Sequence, residues 1–412
     1  METEFEGFVI AGAGIAGLAT ALALHRVGIK SLVLEQAESL RATGGGLGVW
    51  TNAWKALTAL GIADQLREQH PVLLQSFELI SLDQGMTRNF SIQASDSGHE
   101  LRCVKRAALL EALATALPPD TIKYNCKVLR VRQSLSSKYS SETELEDGTV
   151  IRAKGVIGCD GVRSVVSQGF LGLPAPTSAG RCGIRGLATY ADGHGASPSL
   201  QMHFLNGVTF GRMPVNDKEL FWFIVRNPPP QDYAEISHDP LRIREFSSSL
   251  LKDFPSQIKD VIGLTATDSL NMAVLRFKWP WDILNNSAYK GSVTAAGDAV
   301  HPMTPDLAQG GNSALEDAIV LARCLAETLN GRSNADNEGQ IVEKALKKYV
   351  DEMKWRWVWL VSQAYITGVV QQGSSRFIRF IRDNIALKFR SPKDMFIHAT
   401  YDCGTLPTVN PI

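Results

Sequence analysis

The chain has 412 residues, long enough for two domains or one large composite, and its 44% apolar content can fill a sizeable core. Lys and Arg total 42 and so do Asp and Glu, so no net field recruits nucleic acid or an anionic membrane, and nucleic-acid binding is not expected. Six scattered cysteines (Cys103, Cys126, Cys159, Cys182, Cys324 and Cys403) show neither CxxC nor metal-ligand spacing; the expectation is a reducing compartment, thiols packed as small core residues and no metal.

The opening METEFEGFVIAGAG has an acidic start and no basic or Arg/Ser-rich leader, which predicts a cytoplasmic protein. Phe8 to Ala11 read as a buried parallel strand, Gly12, Gly14 and Gly17 with Ala16 between them form a G-x-G-x-x-G turn, and the apolar residues from Ile15 to Val27 recur at helical spacing. Ser31 to Leu34 read as a second strand ending at Glu35. In such a βαβ unit the first glycine permits the turn, the second lets a pyrophosphate approach the backbone and the third lets helix and strand pack closely. Glu35 then stands where a carboxylate accepts hydrogen bonds from a ribose diol, which predicts dinucleotide binding and leaves NAD and FAD unresolved.

Further along, GGGLG at 44–48 contains Gly46 and would let a backbone approach a ring. Residues 106–117 read as a helix and 134–143 as a polar loop. TVIRAKGVIGCDGVRS reads as a hairpin arm followed by a buried strand that ends in a Gly-rich turn. From about 176 to 284 the texture is short strand-like runs (SLQMHFL, VTFGRM, ELFWFIV) with turn punctuation. The parallel-strand pattern returns at 292–298, so the nucleotide domain is discontinuous and a β-rich domain is inserted in it. A helix is expected from Ser313 to Leu329, then a polar gap at 333–340. The run at 357–370 is interrupted by Gln363 and falls short of the ~20 apolar residues of a membrane span, so it reads as a core helix. The basic segment 374–390 reads as the solvated face of a docked helix, with no stable membrane insertion. The expected fold is α/β: a discontinuous Rossmann-like domain (1–75, 100–175 and 285–345), a β-sheet-rich substrate domain (76–99 and 176–284) and a C-terminal helical segment (346–412).

Three spaced segments, the G-x-G-x-x-G turn, Gly158-Cys159-Asp160-Gly161, and Gly297-Asp298 followed by His301, Pro302, Pro305 and Gln309-Gly310-Gly311-Asn312, occur in this order together with the tail DCGTLP. The combination resembles the FAD-dependent monooxygenases of the para-hydroxybenzoate hydroxylase type, the class A flavoproteins. It looks most like the plant members grouped with salicylate hydroxylases and zeaxanthin epoxidases. The resemblance implies FAD as cofactor, with Asp298 at the ribityl and pyrophosphate region, Arg106 on the flavin side, Val128 meeting the adenine through its backbone, and Asp160 contacting both FAD and NAD(P)H. Backbone amides of Gly310, Gly311 and Asn312 would open a helix whose positive end favours the reduced ring, and Pro305 would stiffen the loop on the flavin face. His301 reads as a structural loop residue rather than a base. Ala308 departs from the family, which usually has Gly there. No second G-x-G-x-x-G occurs, so NADPH or NADH would dock transiently, reduce the flavin and leave; molecular oxygen would then form a C4a-hydroperoxide that delivers one atom to a small-molecule substrate.

Shielding that chemistry from water calls for an aromatic lid. Phe204, Phe210, Phe221, Trp222 and Phe223 are candidates, of which alternation turns about half away. Arg185, His203 and Arg212 are the candidate polar contacts to substrate. The expected activity is NAD(P)H-consuming hydroxylation or epoxidation of a largely apolar or aromatic molecule by a monomer or weak dimer. A flavin-dependent dehydrogenase or reductase, which would leave ¹⁸O₂ label out of its product, is the enzymatic alternative. A flavin-bound binding protein that oxidises no NAD(P)H is the other.

Overall fold

A computed structural model describes residues 2–40, 45–92, 98–134, 140–331, 338–372 and 396–407. In chain order, β1 (Glu2–Ala11), α1 (Ile15–Arg26) and β2 (Ser31–Leu34) form the first unit, followed by β3 (Gly46–Trp50), α2 (Thr51–Leu60) and α3 (Ala63–Gln69). A hairpin of β4 (Ser76–Ser81) and β5 (Met86–Ser91) precedes β6 (Leu101–Lys105), which pairs with β3 and runs into α4 (Arg106–Thr115). Then come β7 (Ile122–Lys123), β8 (Val128–Gln133), β9 (Ser141–Leu145) and β10 (Val150–Gly158). The second half holds β11 (Thr177–Thr189), β12 (Ser199–Leu205), β13 (Val208–Pro214), β14 (Glu219–Arg226), α5 (Tyr233–Ser237), α6 (Pro240–Leu250), α7 (Ser256–Gly263) and β15 (Asn271–Phe277). The chain continues through α8 (Pro280–Leu284), β16 (Tyr289–Lys290), β17 (Val293–Ala295), α9 (Gly310–Asn330) and α10 (Glu338–Gln372).

Strands β17, β10, β1, β2 and β7 lie side by side in parallel. Their runs are apolar without alternation because both faces are covered. Phe8, Ile10, Val33, Ile157 and Ala295 pack with α1, α9 and α10, whereas Val9, Ala11, Leu32, Leu34, Val156 and Val293 pack with Val131, Leu145 and Val166. The segment TVIRAKGVIG is one strand, β10, whose first half pairs with β9 and whose length pairs with β1, instead of an arm followed by a separate strand.

The second sheet has seven strands in the order β15-β11-β14-β13-β12-β4-β5, antiparallel except where β4 joins β12. Thus the early hairpin of residues 76–91 completes a sheet built chiefly from residues 177–277. One face is covered by α5, α6 and α7, which the sequence reading of a sheet-rich region had not separated out. The other face turns toward the parallel sheet's domain. Helix α10 runs unbroken through the boundary expected at 345, with Trp357, Leu360, Val361 and Ala364 buried. No helix among the described residues is long and apolar enough to cross a membrane. The segment 374–390, residues 135–139 and 333–337 of the two polar stretches, and Gly44 lie outside the described residues.

Candidate active site

The β1–α1 turn divides its three glycines between two jobs. Gly12 has φ +97°, and a Cβ there would sit 2.6 Å from the Cys159 carbonyl oxygen; a Cβ at Gly17 would fall 1.9 Å from the Gly12 oxygen. Both glycines therefore serve strand–helix packing. Gly14 meets nothing within 4 Å, which leaves an open cradle beside the positive end of α1, as an incoming phosphate requires. Glu35 follows β2 directly; its Oε2 accepts from the Ala13 N–H and its Oε1 from the Ala37 N–H, each at 2.8 Å. The carboxylate is thereby fixed at the rim of that cradle. Val128 begins β8 close by, since the Cys126 N–H donates to the Glu35 carbonyl and the Asn125 N–H to that of Ala37.

Gly297 and Asp298 form a turn just after β17. A Cβ on Gly297, φ +60°, would come within 2.8 Å of the Ala16 methyl, so the turn is pressed against the start of α1. It is held from behind by Asp317 of α9, whose Oδ2 accepts from the Gly297 N–H (2.8 Å) and pairs with His301 Nε2 (2.6 Å), while its Oδ1 accepts from Trp357 Nε1 (2.8 Å). Burial disfavours a charged His301, but the charge and hydrogen bond of Asp317, with Asp298 adding, outweigh it and raise the imidazole pKa. His301 is a buried ion-pair partner that fixes the loop.

With its backbone clamped, Asp298 presents its side chain to a cleft, where it faces Arg106 at the start of α4 and Arg185 on β11. The enclosing protein pushes the Asp298 carboxyl above the usual carboxylate range, against the pull of His301, Arg106 and Arg185. Burial lowers both guanidinium pKa values; Arg106 adds to the effect on Arg185, and Asp298 opposes it in both.

The loop between Asp298 and α9 is equally constrained. Pro305–Leu307 make a 3₁₀ turn, and Ala308 adopts a left-handed conformation (φ 52°, ψ 34°). That is the conformation for which glycine is favoured, so the glycine expected from the resemblance would suit this turn better than the alanine present. Asp306 forms a bidentate pair with Arg181 of β11 (2.9 and 2.7 Å), both side chains almost wholly buried. Helix α10 crosses directly above at Gly368, where any Cβ would lie 2.3 to 2.5 Å from the paired atoms. Gly310 and Gly311 then open α9 along the cleft, with first-turn N–H groups that have no acceptor inside the helix. The Asn312 side chain is committed elsewhere: its Nδ2 donates to the Gly48 and Ala308 carbonyls and its Oδ1 accepts from the Trp50 N–H. It ties β3 to the start of α9, so of Asn312 only the backbone remains for a cofactor. Asp160 likewise has a local task, its Oδ2 accepting from the N–H groups of Val165 (2.6 Å) and Val166 (3.3 Å).

The cleft encloses about 580 Å³ between these loops and the open face of the seven-stranded sheet. Side chains alternate between faces along each strand. Phe204, Phe221, Phe223 and Arg185 line the cleft together with Gly46 and Pro305. His203, Phe210, Arg212 and Trp222 have the opposite parity and lie toward α5–α7. His203 is buried near the Phe210 ring, and Arg212 Nε donates to Gln201 Oε1 at 2.7 Å. These two expected substrate contacts are therefore corrected: one residue of alternation places each on the far side of the sheet from the cleft.

Sequence reading also missed the groups that hold the site. Besides Asp317 and the Arg181–Asp306 pair, Glu316 receives Arg356 in a bidentate pair (3.0 and 2.8 Å) and one hydrogen bond from Asn52, which also reaches Gln309 at the head of α9. Two adjacent acids within an otherwise apolar helix were the available signal, because buried carboxylates require partners. Phe396 and His398 of the tail, with Trp50, complete the wall. All six cysteines are free, and burial pushes the Cys159 thiol well up, so it packs rather than reacts.

Residues 7–352 match the family described as "FAD binding domain". Among curated relatives, Monooxygenase 2 of Arabidopsis thaliana is 38% identical over 405 residues, covering 97% of both chains. Monooxygenase 1 of the same plant is 38% identical over 404 residues, 97% of this chain and 99% of the relative. Among solved structures, Klebsiella pneumoniae HpxO complexed with FAD and uric acid superposes with a TM-score of 0.78 at 20% identity, covering 97% and 96% of the two chains; at that identity the likeness speaks for the fold alone. A backbone cradle beside α1, a clamped aspartate, an open helix end facing an apolar sheet and these relatives converge: the chain belongs to the FAD-binding family of class A flavin-dependent monooxygenases, which are oxidoreductases.

Proposed function

We propose that the protein consumes NAD(P)H and O₂ to insert one oxygen atom into a largely apolar or aromatic small molecule, by hydroxylation or epoxidation. The observation that carries this reading is a cleft in which Asp298, the N-terminus of α9 and an apolar sheet face meet, next to the start of α1. The residues fit FAD: Gly14 offers open backbone, Glu35 stands at the end of β2, and Asp298 faces inward. When bound, FAD supplies two-electron transfer from NAD(P)H and the activation of oxygen.

In this reading the Gly14 backbone and the start of α1 hold the pyrophosphate, Glu35 the ribose and the Val128 backbone the adenine. Asp298 and Arg106 grip the inner half, and Asp160 keeps the nearby turn in shape for both nucleotides. The N–H groups of Gly310, Gly311 and Asn312 direct positive potential at the ring; a helix end supplies up to ~2 kcal/mol when partly buried. Pro305 and the Arg181–Asp306 pair hold the loop on the reacting face. Phe204, Phe221 and Phe223 exclude water, which strengthens every charge–charge contact within. Arg185 is the polar contact from the substrate side.

Protein reconstituted with FAD is expected to be yellow, to oxidise NADPH or NADH faster when substrate is present, and to yield product with one ¹⁸O from ¹⁸O₂. Unlabelled product would assign the chain to dehydrogenase or reductase chemistry instead.

A further inference from the structure

The register of the seven-stranded sheet shows how the chemistry of the cleft floor changes along its length. Across the open face Leu79 pairs with Met202, Met202 with Gly211, Gly211 with Phe223, Phe223 with Arg185, and Arg185 with Asn271. One end of this row is a guanidinium and an amide, the middle is an aromatic ring, and beyond it come a thioether and an isobutyl group before Arg88 of β5, which pairs with Leu79 and closes the far end. The Phe223 ring lies across Gly211, where a Cβ would be only 2.1 Å from Cζ. The ring thus leans toward Met202 and leaves Arg185 uncovered. Phe77, Leu200 and Phe204 flank the Leu79–Met202 stretch, and Ser81, Gln84 and Arg88 also line the cleft on that side.

At the other end the charges do not cancel. Arg106 and Arg185 both face the cleft, with Asp298 as their shared carboxylate. Arg185 makes one hydrogen bond among the described residues, from Nη2 to Asn271 Oδ1 at 3.3 Å, and its remaining donors are available to a ligand. Between the Arg185 strand and those of Met202 and Leu79 lie three and four strand spacings, about 14 and 19 Å at ~4.8 Å each. A single ring does not reach both ends.

We propose that the substrate is an elongated amphiphile whose monoanionic head, a carboxylate or an acidic enol or phenol, is held by Arg185 and Asn271. Its apolar body lies over Phe223 toward Met202, Leu79 and Phe204. This deepens the monooxygenase reading and rests on it for the seating of flavin and substrate in one cleft. Two guanidiniums against one carboxylate select the charge of the head; the arm selects the length of the body.

The test is isothermal titration calorimetry of the FAD-loaded protein with 4-n-alkylbenzoates from ethyl to octyl, without NAD(P)H. Each added methylene is expected to tighten Kd about three- to fourfold until the arm is full. The charge-reversed 4-n-alkylbenzylamines should bind at least about tenfold more weakly. Met202→Trp and Leu79→Trp are expected to flatten the dependence on chain length, and Met202→Leu to keep it. Arg185→Gln should weaken the whole benzoate series by a common factor of about ten or more. A wild-type protein with no chain-length dependence, a dependence that survives both tryptophan variants, or benzylamines that bind as well as benzoates would each overturn the proposal. Because the titration involves no turnover, a chain-length dependence without substrate-stimulated NAD(P)H oxidation sinks only the monooxygenase reading. Stimulated oxidation with no such dependence sinks only this one.

Discussion

The two walls of the cleft are built on different principles. In the proposed reading the cofactor side works through backbone: the open flank of Gly14, the turn at Gly297, and the first N–H groups of α9. Its geometry is imposed from behind by buried charges such as Asp317 and Glu316. On the sheet side the working surface is side chains, and a residue's role is decided by strand parity. Backbone recognition leaves glycines at fixed spacings, whereas side-chain recognition leaves no mark that is independent of register. A substitution behind the first wall should therefore disturb binding at a distance, and one on the second wall should act only if it faces the cleft.

The largest expected effect tests that support. Asp317→Ala strands a buried imidazolium and two N–H donors, which should cost roughly 3–5 kcal/mol in urea unfolding and release FAD although Asp317 itself is shielded from the cleft. Asp298→Ala should leave the fold intact by circular dichroism and weaken FAD about tenfold to a hundredfold, the value of one charged hydrogen bond; full flavin occupancy in that variant would mean the carboxylate is misplaced. Between the walls, Arg185→Gln should lower kcat/KM about tenfold, whereas Arg212→Gln, on the covered face, should leave kcat/KM unchanged.

Smaller effects sharpen the contrast between the faces. Burial first, then Arg212, hold the His203 pKa down at about 4. The unfolded chain takes up this proton from about pH 6.5 downward while the native one resists it until about 4. Stability should accordingly fall as pH drops through that window, by at most about 1.4 kcal/mol per pH unit, and His203→Gln should lack this component. The smallest shift is expected at the loop: Ala308→Gly should gain about 1 kcal/mol by relieving the left-handed backbone, measured as a rise in Tm.

What could be read from the sequence follows the same division. Gly12, Gly14, Gly17 and Glu35 were legible because a βαβ turn demands glycine at defined positions and ends its second strand at a defined place. Strand-like runs such as ELFWFIV were legible as strands, but not which face was inward: Phe221 and Phe223 line the cleft while Trp222 between them is buried against α5–α7. His203 and Arg212 were misassigned on that ground. The hairpin β4–β5 was placed with the β-rich domain, but its contribution of Phe77 and Leu79 to the cleft depends on a parallel pairing with β12 that no local signal announces. Asp317 meets Trp357 and Glu316 meets Arg356, each across 40 residues of chain, and only the packed helices reveal it.

That pairing of residues 76–81 with 199–204 also orders events on the ribosome. Until β12 has emerged, the hairpin has no sheet to join; β1 must wait in the same way for β10, and β10 for β17. Non-local pairing of this kind makes assembly late and slow. Nascent chains that end before residue 199 should therefore display a bare strand edge and demand chaperone attention, and productive loading of the prosthetic group belongs to the completed polypeptide.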